Sequence, residues 1–291
     1  MPDAASTSAI TVASKSGLLS LTHRYGSTRW IFSAAEESDS EFEKAASKLD
    51  PLLRRALVED IVDEDDTALV EKLGCEKLTQ TRSALRRKAA ISPSGCAALR
   101  AAVDSDRDVT RDSVDHMAQH QLNIKVERLI ELIGRPDVDG LWRLADELLA
   151  MQRDEAIERA NAAGTEVPSA VASATEAVEK GFYVDLFVRR YTRETRPWIA
   201  FHHDVSSLTI NVALNDDACF EGGRLHAIVN ARHTIIEREE GEATAHGDDV
   251  MHAVSAMRSG VRYSLIAFFY ALSSDEGSLE YQSIAPSEYR I

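Results

Sequence analysis

His202-His203-Asp204-Val205-Ser206-Ser207-Leu208-Thr209-Ile210-Asn211-Val212-Ala213-Leu214-Asn215 carries two signals in one run. It begins with His-x-Asp and passes into a strand pattern. Along an extended backbone, side chains two apart point the same way, so His202 and Asp204 can share one ion while His203 turns away. After Ser207, Leu208, Ile210, Val212 and Leu214 alternate with smaller or polar residues, the period of a half-buried strand.

The same period recurs on both sides. Residues 183–188 alternate, residues 262–272 end in an apolar, aromatic run, and Gly222-Gly223 and Gly260 punctuate the pattern. Upstream the period is helical. Ser92-Pro93 reads as a helix entry, residues 126–133 as a second helix, and residues 141–160 as a third with Leu141, Leu144, Ala145, Leu148 and Leu149 on one stripe. Trp142 belongs to that helix and is expected in the core. A helical block followed by many short strands gives an α+β protein with helices packed outside a β-sandwich or barrel. We divide it into an N-terminal extension or small subdomain (1–90), helical support (91–180) and a strand core (181–273) within a domain running to residue 291.

Six of the nine histidines fall in the strand-rich half: His202, His203, His226, His233, His246 and His252. Two imidazoles and one carboxylate make a facial ligand set that leaves positions open on Fe(II). His252, 48 residues after Asp204, is the candidate third ligand; His246 competes for the place. Arg262 follows ten residues later, in Gly260-Val261-Arg262-Tyr263-Ser264-Leu265. Leu214-Asn215, Phe220-Glu221-Gly222-Gly223, Gly241-Glu242-Ala243 and His252-x-Val254 complete an ordered series. On these motifs, residues 183–272 resemble the prolyl 4-hydroxylase-like branch of the Fe(II)/2-oxoglutarate oxygenases.

That resemblance implies a jelly-roll double-stranded β-helix in which His202, Asp204 and His252 hold Fe(II), with 2-oxoglutarate and O2 as cosubstrates. His252 is preferred to His246 because the spacings to Val254 and Arg262 count from it. Arg262 would anchor the far carboxylate of 2-oxoglutarate, its planar fork suiting a bidentate partner. Tyr191 resembles a site tyrosine of the family, and Tyr263 and Thr209 are candidates for a further hydroxyl. The implied reaction hydroxylates an unactivated C–H bond and releases succinate and CO2. Ala213 stands where peptide-prolyl hydroxylases often carry tyrosine, and the anchor is arginine rather than the lysine of collagen-type enzymes. The prime substrate is therefore a small molecule or a protein side chain, with prolyl hydroxylation and a non-catalytic cupin-like metal-binding module as alternatives.

The 291 residues carry 48 acids against 33 Lys and Arg, a net charge of −15. This argues against a general nucleic-acid face, which needs clustered basic charge. Twelve acids and four bases lie within residues 36–66; such a run is usually a solvated face. Three cysteines without C-x-x-C spacing suggest neither a disulfide framework nor a zinc ribbon, and fit a reduced, cytoplasmic setting. No run is long enough for a membrane span, and the first 30 residues lack a signal-peptide core. Residues 18–21 and 30–32 are expected to form a hairpin and residues 41–57 a helix interrupted near Pro51. Either Arg189 or Arg190 should point inward. The polar residues 111–123, with His116 and His120, are expected to be a solvated helix connection, with a substrate lid as the alternative.

Overall fold

In the computed structural model, which describes residues 46–47, 49–62, 66–74, 84–105, 109–111, 118–165, 182–195, 198–271 and 283–284, a mainly helical block with three short strands precedes the strand core. The N-terminal elements are α1 (Pro51–Leu57), α2 (Thr67–Lys72), β1 (Ala84–Arg87), α3 (Pro93–Ser105), β2 (Val109–Arg111), β3 (Ala118–Ile124), α4 (Val126–Ile133) and α5 (Arg135–Ala163). The strand core follows as β4 (Phe182–Tyr191), β5 (Ile199–His202), β6 (Leu208–Ala213), β7 (Glu221–Gly222), β8 (Leu225–Val229), β9 (Arg232–Ile236), β10 (Ala243–Gly247), β11 (Met251–Val254), β12 (Met257–Ser259), β13 (Arg262–Ala271) and β14 (Ser283–Ile284).

A large antiparallel sheet runs β1-β10-β6-β13-β4-β3-β2, with β14 also on β4, and a small one runs β5-β11-β8-β9. The chain crosses between them repeatedly: β4, β6, β10 and β13 lie in the large sheet, and β5, β8, β9 and β11 in the small one. This is the jelly-roll double-stranded β-helix.

Parity decides what each face of the large sheet carries. Val184, Leu186 and Val188 of β4, Leu208, Ile210 and Val212 of β6, Ala243 and Ala245 of β10, and Leu265, Ala267 and Phe269 of β13 share one buried cluster with Leu99, Leu129, Leu141, Leu144 and Leu148 of the helices. Each such side chain contributes roughly 1.5–3 kcal/mol by leaving water. Trp142 packs edge-on to Phe269, 5.5 Å between ring centres, as a core residue. Residues of opposite parity face the interior: Phe187, Arg189 and Tyr191 on β4, Thr209 and Asn211 on β6, Thr244 and His246 on β10, and Arg262, Ser264 and Phe268 on β13.

Residues 118–124 form a strand, β3, pairing β2 on one side and β4 on the other, where a helix connection was expected. Leu122 packs outward on the helical core while Gln121 and Asn123 keep the opposite parity; the polar alternation is that of a sheet edge. Helix α5 begins at Arg135, six residues earlier than its apolar stripe suggests. Gly134, at φ +86°, separates it from α4, and a proline in its first turn suits a start. The expected 18–21/30–32 hairpin lies outside the described residues, as do residues 41–45 of the first helix; Pro51 opens α1.

The described N-terminal residues cover the small sheet. Leu49, Leu53, Leu57, Leu69 and Val70 bury against Trp198, Phe201, Ile228, Met251 and Ala253. Asp50 caps α1 through Leu52 N (3.0 Å) and pairs with Lys72 (2.7 Å). Two further acids bond buried histidines: His226 Nε2 to Asp60 (2.8 Å), His226 Nδ1 to His233 Nε2 (2.8 Å), and His233 Nδ1 to Asp66 (2.6 Å). Three hydrogen bonds thus join the two rings in series between two carboxylates.

Burial opposes the Asp60 charge, but hydrogen bonds from His226 and Ser255 and the charges of His226 and Arg258 hold its carboxyl below the ordinary 3.8. A carboxyl held low stabilises the fold above its unfolded value and loses that contribution as pH falls through the folded value. Urea melts should therefore show stability declining below about pH 4, a decline that Asp60→Asn reduces. His233→Ala should cost about 2–4 kcal/mol, since it removes a hydrogen bond of the half-buried Asp66 carboxylate and the partner of the buried His226 Nδ1; a change under about 0.5 kcal/mol would show that the array does not hold the cover down.

Candidate metal centre

His202 faces the interior because β5 is irregular. His252 stands opposite His202 while Val254 stands opposite Ile199, so β5 carries one more residue than β11 across that interval. Ala200 and Phe201 both join the outer cluster, and Ile199 the inner one. Without this bulge Ala200 and His202 would share the outer face; the extra residue re-aims His202 inward. On β11 parity is regular: Met251 and Ala253 pack outward, leaving His252 inside.

The two imidazoles thus lie side by side, ring centres 4.3 Å apart. His202 Nδ1 bonds Ala200 O (2.8 Å) and His252 Nδ1 bonds Val250 O (3.2 Å), which turns both Nε2 atoms toward the carboxylate. Asp204 Oδ1 is 3.5 Å from His202 Nε2, and Oδ2 is 3.6 Å from His252 Nε2. One ligand atom from each residue falls within 4.8 Å of the others, as donors around a single ion must. Thr209 Oγ1 donates to Asp204 Oδ2 at 2.6 Å and bonds Ser206 Oγ at 2.8 Å, so it orients the carboxylate.

His246 also approaches. It lies on β10 across from Thr209, with Nε2 3.8 Å from Asp204 Oδ2 and its ring 4.7 Å from that of His252. His203 turns away and bonds Asp248 O at 2.8 Å. His226 and His233 belong to the N-terminal array described above.

The electrostatics suit a cation. Burial works against the Asp204 charge, yet the surrounding His252, His202 and His246 hold its carboxyl far below the ordinary range. Burial is the main cause that pushes His252 down to about 3, so it is neutral at physiological pH. An ionised carboxylate and a neutral imidazole are the forms that bind metal.

Arg262 opens β13 and stands opposite Tyr191. It is 1% exposed, its guanidinium lies 4.7 Å from the Tyr191 ring centre, and none of Nε, Nη1 and Nη2 has a hydrogen-bond partner. Ser264, two residues on and on the same face, has a buried hydroxyl without a partner. Tyr263 does not join them. It packs against the helical core, and its hydroxyl donates to the Asp104 carboxylate at 2.9 Å, because alternation sends it to the opposite face from Arg262. Thr209 faces inward but serves Asp204. Arg189 is the inward member of its pair, bonded through Nη2 to Gln121 Oε1 (2.8 Å), while Arg190 pairs with Asp104 at 3.1 Å.

Two inward residues escaped sequence reasoning. Ser264 was legible as the i+2 neighbour of Arg262. Arg238 had no signal: it follows β9 in the turn before β10 and belongs to no alternating run.

No family profile matches the chain, and no curated protein matches it in sequence. Solved structures do resemble it. A Pseudomonas putida prolyl-4-hydroxylase is 14% identical with a TM-score of 0.44, over 71% of this chain and 99% of that one. A viral collagen prolyl hydroxylase from Paramecium bursaria Chlorella virus-1 is 14% identical with a TM-score of 0.41, over 66% and 97%. The α-ketoglutarate-dependent epimerase SnoN of nogalamycin biosynthesis is 15% identical with a TM-score of 0.40, over 75% and 92%. These are distant likenesses, and the site stands on its own residues. Among the described residues, no helix is long and apolar enough to cross a membrane.

Because His252 is held well below its ordinary 6.5, the unfolded chain takes up a proton that the folded chain refuses as pH falls below 6.5. Stability of the metal-free protein should drop by up to about 1.4 kcal/mol per pH unit from that one group. Urea melts between about pH 6.5 and 4 should show a shallower slope in His252→Asn; an unchanged slope would mean that His252 is charged in the folded protein.

Proposed function

We propose that the chain is an Fe(II)- and 2-oxoglutarate-dependent oxygenase that hydroxylates an unactivated C–H bond. The observation that carries this reading is Arg262, a buried guanidinium with three unpartnered nitrogens on the interior wall that the His202, Asp204 and His252 set also faces. Two neutral nitrogens and one carboxylate oxygen suit Fe(II) and leave it residual positive charge, which favours an anionic chelator. With Fe(II), 2-oxoglutarate and O2 bound, the centre would supply C–H oxidation, with 2-oxoglutarate leaving as succinate and CO2.

The chain's own residues do the ordering. His202, Asp204 and His252 hold the ion, and Thr209 fixes the carboxylate that completes the set. Arg262 binds the far carboxylate of 2-oxoglutarate, Ser264 adds a hydroxyl beside it, and the Tyr191 ring under the guanidinium keeps that end dry. Phe268 stands across from Thr209 and meets Phe187 edge-on, with ring centres 5.2 Å apart. This pair offers substrate an apolar wall near the ion. A non-catalytic cupin-like module is the weaker reading, because it leaves the cost of burying Arg262 without a purpose. The prime substrate is a small molecule or a protein side chain, a prolyl residue among them.

Anaerobic addition of Fe(II) and 2-oxoglutarate should produce a weak visible charge-transfer absorption. A folded, iron-loaded sample without it would sink the assignment. Asp204→Ala should abolish Fe(II) binding, and Thr209→Val should weaken it about 10- to 100-fold. Arg262→Met should spare Fe(II) but weaken 2-oxoglutarate about 10- to 100-fold. Succinate release against peptides and small metabolites then identifies the substrate.

A further inference from the structure

A second arginine reaches the same interior wall. Arg238 is 3% exposed, and its Nη1 donates to Asn211 Oδ1 at 2.9 Å. Asn211 is an inward residue of β6, standing across from Ile266 of β13 and Thr244 of β10. Ala213, the next inward residue of β6, stands across from Ser264. Thr209, the residue that bonds Asp204, lies on the other side of Asn211 along β6. The Arg238 guanidinium is therefore tethered between the metal ligands and the Arg262–Ser264 end of the wall.

Its remaining nitrogens are unsatisfied. Nε and Nη2 are buried without a hydrogen-bond partner, and Asp217 Oδ1 stands 4.0 Å from Nη2, beyond hydrogen-bonding reach. The other oxygen of Asp217 accepts from the Arg238 backbone N–H (3.1 Å), so this acid fixes the turn and pairs only loosely with the side chain, leaving the guanidinium without a hydrogen bond to a carboxylate. Glu242, the other buried acid near the turn, pairs with Arg86 at 2.6 Å. The turn is fixed by Gly241, at φ +80°, where a Cβ would come within 2.3 Å of Ile91 O. Burial, and next the positive charge of Arg262, push Arg238 down to about 10; it keeps its proton at neutral pH, and the two charges feel each other. Two buried like charges with five orphaned nitrogens between them are tolerated where an anion joins them.

We propose that Arg238 is a second arginine of the cosubstrate pocket, so that the far carboxylate of 2-oxoglutarate bridges Arg262 and Arg238. This rests on the oxygenase reading above. A carboxylate has two oxygens with about four lone-pair sites, enough for donors from both forks. The bridge cancels the mutual repulsion of the two guanidiniums, which one arginine paired with a hydroxyl would not need. It also makes the pocket selective for 2-oxo acids bearing a second carboxylate.

The test is calorimetric titration of the Mn(II)-loaded protein with 2-oxoglutarate and with 2-oxobutyrate, which keeps the chelating end and lacks the far carboxylate. Arg238→Met should weaken 2-oxoglutarate about 10- to 100-fold and leave 2-oxobutyrate and Mn(II) within about twofold. If that variant is insoluble, Arg238→Lys keeps the charge but loses the fork and should weaken 2-oxoglutarate alone about threefold to tenfold. Unchanged 2-oxoglutarate affinity in a folded Arg238 variant, with Arg262→Met impaired, overturns the proposal and leaves the oxygenase reading standing. Equal loss of both ligands also overturns it, because Arg238 would then only shape the turn. Failure of the Mn(II)-loaded parent protein to bind 2-oxoglutarate at all overturns the oxygenase reading itself.

Discussion

Asp204 and Arg262 are buried inside the same barrel with opposite charges, yet Arg262 has no hydrogen-bond partner and Asp204 is ringed by three imidazoles and Thr209. Ion pairing between them would have been the simplest way to bury both. The chain keeps them apart instead, so each charge remains available to a ligand of opposite sign: a cation at Asp204, an anion at Arg262. The interior is therefore stable only because its surroundings are rigid enough to prevent collapse. The remaining architecture can be understood as the means of supplying that rigidity.

Rigidity comes from two covers on opposite sides. Helices α3, α4 and α5 bury the outer face of the large sheet, and α1 and α2 that of the small sheet. The large sheet is thus apolar outside and mostly polar inside, the reverse of a sandwich whose core lies between its sheets, whereas the small sheet carries His226 and His233 outward and Ile199 and Val254 inward. Driving force sits in the outer layers, which frees inward positions from packing duty. Inward positions on β4, β6, β10 and β13 can then carry Tyr191, Thr209, His246 and Arg262. Functional groups on strands rather than loops are also held more closely in place.

The parity of the long strands is legible in the sequence because one face is apolar, which reveals the core and the helices that cover it, while His202, Asp204, His252 and Arg262 are legible from the spacing of their motifs. The same rule sends Tyr263, adjacent to Arg262 in sequence, to the other face, against the expectation that its hydroxyl serves the site. The bulge in β5 was not legible, since nothing in Ile199-Ala200-Phe201 announces an extra residue, and the inward aim of His202 followed from the motif rather than from the strand. Arg238 was hidden for a different reason. It sits in a turn whose path is set by close approach of Gly241 to Ile91, a tertiary contact 150 residues apart in sequence.

The acidic stretch at residues 36–66 shows how poorly net charge describes such a protein. Asp50, Asp60 and Asp66 come from this run, and each is bonded internally, to the α1 backbone and Lys72, to His226, and to His233. Acids that looked like a solvated face therefore help to fasten the N-terminal cover over the small sheet. Meanwhile a chain of net charge −15 buries the guanidiniums of Arg238 and Arg262 in its interior. The conflict is small because the two scales differ. Surface charges are screened beyond about 8 Å at physiological ionic strength, whereas charges inside the barrel act on one another at low effective dielectric. A dianion approaching the protein meets weak, screened repulsion outside and strong, local attraction within, so affinity at this site is set by a few inward side chains rather than by the acidity of the whole.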